Sequence, residues 1–240
     1  MILRQFSKKS KLKILRYKMT TRKPTKKYYF SVEGETEQWY LEWLKNTING
    51  TQESACKVSF DCKVEKNPIN RVKSMSTILW KTEIWHISDY ESSEDTHTKQ
   101  FIKTMDNMKE ATKLGKQITY KFGYSNLTFD LWIVLHKIDC FVSLSYRHQY
   151  LSHLNRAYNE NFKNMPQYKK ENNFKRCLDQ LNLSNVNDAI RRAKEIMRQR
   201  KTNKDICTSY KGFKYYETNP SLAIWEIIEK ILKDCQLLNA

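Results

Sequence analysis

Tyr28-Tyr29-Phe30-Ser31-Val32-Glu33-Gly34-Glu35-Thr36-Glu37 is the stretch that decides the fold. Its first five residues form a β-prone run of the length of one buried strand. Glu33-Gly34-Glu35-Thr36 breaks that run. Over residues 36–49, Trp39, Tyr40, Trp43, Leu44 and Ile48 then fall on one helical stripe. A strand that feeds an amphipathic helix through a short acidic turn is the repeating unit of an α/β protein.

The unit recurs downstream. Lys57–Val64 alternates Val58, Phe60, Cys62 and Val64, the period of a strand. Asn67-Pro68 opens a helix predicted to run to about Trp80, with proline tolerated in the first turn. Glu83–Ser88, around Ile84-Trp85-His86-Ile87, reads as a third strand, followed by the polar stretch Asp89–Asp95. Residues 97–113 read as a helix with Phe101, Ile102, Met105 and Met108 inward, and Gln117–Phe122 as a fourth strand. This alternation predicts an α/β fold with a mostly parallel sheet flanked by helices.

The second half reads as helical. Phe129, Trp132, Ile133 and His136 recur at helix spacing. Residues 187–200 put Ile190, Ala193, Ile196 and Met197 on one side, with Arg191, Lys194, Arg198 and Lys201 on a neighbouring stripe. Asn219-Pro220 is predicted to cap a final helix that turns Leu222, Trp225, Ile228 and Ile231 inward. Three regions follow: a basic arm over 1–26, an α/β core over 27–146, and a helical region over 147–240 packed on the core.

Composition narrows the function. The 240 residues carry 43 Lys and Arg against 26 Asp and Glu, a formal net charge of +17. Eleven of the basic residues, and no acid, lie in residues 1–27. Such an arm repels itself and attracts polyanions, and the basic stripe at Arg191, Lys194, Arg198 and Lys201 is a second candidate nucleic-acid contact. A solvated tail is the competing reading of the arm, and Met19 offers an alternative start. Only 5 glycines are present, with neither GxxxxGK[ST] nor GxGxxG, so a glycine-rich phosphate loop is excluded. No CxxC pair occurs among the 6 cysteines, which argues against a zinc ribbon. No apolar run approaches the roughly 20 residues of a membrane span, and the N-terminus lacks the apolar stretch of a secretory signal. A cytoplasmic protein with free thiols and no membrane partner is expected.

The carboxylates carry the chemistry. In an open parallel sheet, ligands bind beyond the carboxyl ends of the strands. The first strand ends in Glu33, with Glu37 in the next helical turn, and the third ends in Asp89-Tyr90-Glu91. If those strands are neighbours, Glu33, Asp89 and Glu91 converge and Glu37 joins them. Oxygen donors without His or Cys suit Mg²⁺ or Mn²⁺, and clustered carboxylates repel one another unless a cation neutralises them. Phosphoryl transfer uses this arrangement. A solvated acidic loop has the same spacing. Gly34 is expected to let the chain turn sharply beside the site.

Val32-Glu33-Gly34 after a strand, with Asp89-Tyr90-Glu91 two α/β steps later, resembles the Rossmann-like TOPRIM domain of primases, topoisomerases and OLD-type nucleases. More specifically, Phe30–Tyr40 resembles the opening of the RloB family, to which AbiLii-type abortive-infection proteins belong. Gly123–His136 is similar to that family's second hallmark, and Asn219-Pro220-Ser221 to its ending. Glu91 stands in place of the second Asp of a DxD pair, and Asp130 where the family usually has Glu. The resemblance implies a metal-dependent nuclease acting on RNA, such as tRNA, or DNA in antiphage defence, with Mg²⁺ or Mn²⁺ as cofactor. It also implies a separately encoded ABC-type ATPase partner. Carried over, Glu33 is metal ligand or general base, Asp89 and Glu91 are ligands, and Glu37 is a ligand for a second metal. Ser125, Asn126 and His136 either line the site or hold a buried network. Two other function classes stay open: a non-catalytic module that binds nucleic acid or the ATPase, and a basic nucleic-acid-binding protein whose acids do nothing.

Overall fold

The computed structural model describes residues 22–76, 78 and 80–238, so most of the basic arm lies outside the described residues. In chain order the first half contains β1 (Thr25–Val32), α1 (Glu35–Gly50), β2 (Lys57–Val64), α2 (Pro68–Ser74), β3 (Thr82–Asp89), α3 (Asp95–Ala111), β4 (Ile118–Asn126) and α4 (Asp130–Leu135). The second half adds α5 (Tyr150–Tyr158), α6 (Met165–Tyr168), α7 (Glu171–Leu178) and α8 (Leu183–Thr202). It ends with β5 (Cys207–Tyr210), β6 (Phe213–Tyr216), β7 (Ser221–Leu222) and α9 (Ile224–Asp234). The main sheet has the order β2-β1-β3-β4-β7. β1 to β4 run parallel and β7 antiparallel to β4.

The sheet is covered on both faces, as a parallel sheet requires. Tyr28, Phe30 and Val32 of β1 and Trp85 and Ile87 of β3 face α1 and the C-terminal helices. Ile84 of β3 and Tyr120, Phe122 and Tyr124 of β4 face α2, α3 and the β5–β6 hairpin. The period of two thus divides each central strand between two cores. α1 buries Tyr40, Leu41, Leu44 and Ile48 and carries Glu35 and Glu37 in its first turn, where the helix dipole favours negative charge.

Four sequence expectations are corrected. α2 ends at Ser74, not near Trp80. Ser74 Oγ donates back to the Arg71 carbonyl, and Lys116 Nζ donates to the Val72 and Met75 carbonyls, closing the helix end. β4 continues past Phe122 to Asn126, so the first four residues of the Gly123–His136 segment are strand. The second half is not all helix: β5 and β6 pair across Lys211-Gly212, whose φ angles of 49° and 90° are the left-handed pair of a tight hairpin. Asn219-Pro220 does not cap α9. Ser221-Leu222 forms β7 first, and the Asn219 side chain instead bonds the backbone of Leu144.

Candidate functional site

The strand order makes the site. β1 is hydrogen-bonded to β2 on one side and β3 on the other, so the connections leave in opposite directions and open a crevice between the carboxyl ends of β1 and β3. Glu33 follows β1 directly and Asp89 ends β3. The structure brings them together: Glu33 Oε2 accepts from the Asp89 backbone N–H at 3.1 Å, and Oε1 from Ser88 Oγ at 2.8 Å. Glu37, in the first turn of α1, faces the same crevice, which is lined by Glu33, Glu37, Lys66, Asp89, Glu91 and Lys169.

Gly34 sits in the bend between β1 and α1 and acts chiefly through the space it leaves. Its backbone is extended, at φ −147° and ψ 178°, and a Cβ there would lie 3.1 Å from Glu37 Oε2. The chain does bend at Glu33-Gly34, but without a left-handed φ, and the missing side chain leaves a cradle for the Glu37 carboxylate.

Asp89 is fixed from the other side of the crevice. Its Oδ1 accepts from the Phe129 backbone N–H at 2.7 Å. The Ser125 and Leu127 carbonyls accept from the N–H groups of Tyr90 and Glu91. Thus the second hallmark segment acts through its backbone, as a splint for the Asp89-Tyr90-Glu91 turn. Among its side chains Asp130 reaches the acids, while Ser125, Asn126 and His136 go elsewhere. Ser125 and Asn126 are fully buried, and Asn126 Nδ2 donates to the Tyr216 and Glu217 carbonyls. His136 sits in the core, where Nδ1 donates to the Trp132 carbonyl at 2.8 Å and the Tyr40 hydroxyl donates to Nε2 at 3.1 Å.

Glu91 lies at the rim. Its φ of 62° is left-handed, a conformation that costs a non-glycine residue about 1 kcal/mol or more. The turn aims its carboxylate outward, to His97 Nε2 at 2.9 Å and Arg147 Nη1 at 3.2 Å. Of the four acids named from sequence, Glu33, Glu37 and Asp89 gather on the crevice floor, while Glu91 is engaged at its edge.

Two further residues complete the cluster. Asp130 is 1% exposed, its Oδ2 accepting from Thr128 Oγ1 and its Oδ1 without a partner. Lys169, just beyond α6, places its ammonium 3.4 Å from Asp130 Oδ2. Burial pushes the Glu33 carboxyl above its ordinary range, with Glu37 adding repulsion. Burial does the same to Glu37, against the opposing pull of Lys169. Asp89 is pushed furthest, by burial and then by Glu37 and Glu33. The Lys169 ammonium is held above its usual range chiefly by Asp130. Sequence reasoning had no access to Lys169, because no motif marks it and it reaches the acids only through the packing of α6 and α7.

The donor chemistry fits a hard divalent cation: oxygens only, an orphaned Asp130 oxygen, and a cradle left open by Gly34. Among the described residues, however, no three His, Cys, Asp or Glu side chains are already arranged to hold a metal ion. Cation entry would draw Glu33 and Glu37 out of their present hydrogen bonds.

The basic stripe on α8 is less available than its sequence suggests. Arg191 pairs with Asp188, Arg198 with Glu195, and Lys194 with Glu229 while lying over the Trp225 ring. Lys201 is exposed.

Fold and crevice together define a class: a parallel α/β protein with an acidic site at the switch in strand order. Within that class the chain belongs to the RloB-like protein family, whose pattern matches residues 28–231. No curated protein and no solved structure matches it. No helix among the described residues is long and apolar enough to cross a membrane.

Proposed function

We propose that the protein is a metal-dependent nuclease, a TOPRIM-type hydrolase of phosphodiesters, acting as a toxic effector in abortive-infection defence. The single observation that carries this reading is the gathering of Glu33, Glu37 and Asp89 at one switch point despite their mutual repulsion. A fold keeps like charges in a half-buried crevice at a cost in stability, which a cation would remove. Family membership supports the defence role.

Glu33, Glu37 and Asp89 would hold Mg²⁺ or Mn²⁺. When bound, the ion supplies charge to polarise a phosphate and to acidify a water. Asp89 is oriented by the Phe129 N–H. Where Glu37 and Asp89 alone hold the ion, Glu33, beside Asp89, is the base that takes the proton from the attacking water. Water then adds to phosphorus, the ester P–O bond breaks, and the leaving oxygen takes up a proton from solvent to depart as the alcohol. Lys66 at the rim and Lys169 inside offset the charge of the acids, so that a phosphate can approach.

A second reading, a binding module for nucleic acid or a separately encoded ABC-type ATPase, is favoured by the absence of a preset ligand cage among the described residues. The experiment that separates the two is incubation of the purified protein with tRNA and with plasmid DNA, with and without Mg²⁺ or Mn²⁺. Cleavage only with metal supports the nuclease. Binding without cleavage in every arm, including arms with the ATPase, supports the module.

A further inference from the structure

Beside the crevice lies a second, outer cavity of about 170 Å³, walled by Glu91, His97, Tyr146, Arg147 and His148. It shares Glu91 and His97 with the cavity that contains Glu33 and Asp89, so the two adjoin. Its lining is of mixed charge, with Glu91 and Glu94 beside Arg147, His97 and His148. Tyr146 is 61% exposed, and its ring lies parallel to that of His148, at 11° and 5.6 Å between centroids. Arg147, between them in sequence, spends one guanidinium N–H on Glu91 and turns its remaining donors outward.

We infer that this lip seats an unpaired base and its phosphate, so that the strand reaches the crevice as single-stranded nucleic acid. Three features lead there. An exposed aromatic face stacks on any nucleobase whose own face is free. In a duplex those faces are covered by the neighbouring pairs, so a stacking platform discriminates against it. The crevice floor is anionic and repels a polyanion, so the strand must be anchored by groups outside it. Arg147, with planar donors suited to a phosphate, stands where that anchor is needed. Glu91, in its left-handed conformation, ties Arg147 and His97 to the end of β3 and thereby sets the lip at a fixed position relative to Asp89.

The inference deepens the nuclease reading by naming its substrate class, but it is read by binding alone. Fluorescence anisotropy in EDTA would follow a short labelled RNA strand, the DNA strand of the same sequence, and the corresponding duplexes. Tyr146→Ala should weaken single-strand binding about 5–100-fold, the loss of one stacked base, and leave duplex binding unchanged. Tyr146→Trp should restore the single-strand affinity. Because Tyr146 is exposed, an unchanged melting temperature would confirm that folding is not at issue. Equal single-strand affinity of Tyr146→Ala and the parent, or an equal loss on strand and duplex, overturns the inference. A Tyr146-dependent single-strand affinity in a protein that never cleaves would support the lip and refute the nuclease. Metal-dependent cleavage with no Tyr146 dependence of binding would do the opposite. Whether the effect is larger for RNA or DNA identifies the sugar, and either result supports the lip.

Discussion

Replacing Lys169 by methionine removes the ammonium that faces Asp130, Asp89 and Glu37. The stem keeps its packing and the charge is lost. Breaking a buried pair by deleting one partner costs about 3–5 kcal/mol, because the other charge is left uncompensated. Lys169 is 38% exposed on its side chain, so water screens part of this, and about 1–3 kcal/mol is the expected loss. For a chain of this size each kcal/mol lowers the melting temperature by about 2–4 °C, so Lys169→Met should melt several degrees below the parent in EDTA. The same deletion makes the crevice more negative, so a divalent cation should bind it more tightly. A cation at 100 times its Kd stabilises by about 2.7 kcal/mol, enough to recover most of the loss. The assay is a pair of thermal melts, parent and variant, each with EDTA and with Mn²⁺. The reasoning requires a larger Mn²⁺ shift in Lys169→Met than in the parent. A variant that melts low and ignores Mn²⁺ would refute the idea that these acids await a cation.

Asp89→Asn keeps the acceptor for the Phe129 N–H but removes the charge, so it should lower metal-dependent cleavage by at least about 10²-fold without lowering the melting temperature; Glu33→Gln should act likewise. Both effects are read by cleavage and melting on the same samples. The buried His86 and His136 are lowered by burial to about 3 and about 4, below their unfolded value of 6.5. The unfolded chain therefore binds more protons below that value, so their stability contribution is complete above about pH 6.5 and should fall by about 2 kcal/mol each by pH 5; denaturant melts over that range, with His136→Gln shallower than the parent, check it. Nucleic-acid affinity should fall steeply with salt, with a log–log slope of about 0.9 per phosphate neutralised on duplex DNA, and deletion of residues 1–18 should flatten it. Salt-insensitive binding would exclude an electrostatic role for the arm.

The α/β framework was legible because burial imposes period. Val58, Phe60 and Cys62 alternate, Tyr40, Leu44 and Ile48 recur helically, and β2 begins and ends where that alternation does. The acids were legible because an acidic turn after an apolar strand is a local signal. What escaped was non-local. The β5–β6 hairpin is short and half exposed, so its alternation is weak. Its turn is Lys211-Gly212 rather than the usual Asn-Gly, although Gly212 set between Tyr210 and the aromatic run Phe213–Tyr216 was a usable clue. α2 stops early because Lys116, more than forty residues on, takes its last carbonyls. The Gly123–His136 hallmark was visible as a motif, but apart from the Asp130 carboxylate its work is done by backbone carbonyls and one N–H, which no side-chain pattern reveals. Lys169 and Arg147 reach the site through tertiary packing alone.

That the crevice between β1 and β3 is a divalent-cation site is the claim on which the rest depends. Its most direct test is titration of Mn²⁺ into the parent and into Asp89→Asn, with free Mn²⁺ followed by electron paramagnetic resonance. The account predicts that the parent depletes the free-ion signal saturably and that Asp89→Asn does so far more weakly. Identical titration curves for the two proteins would contradict it.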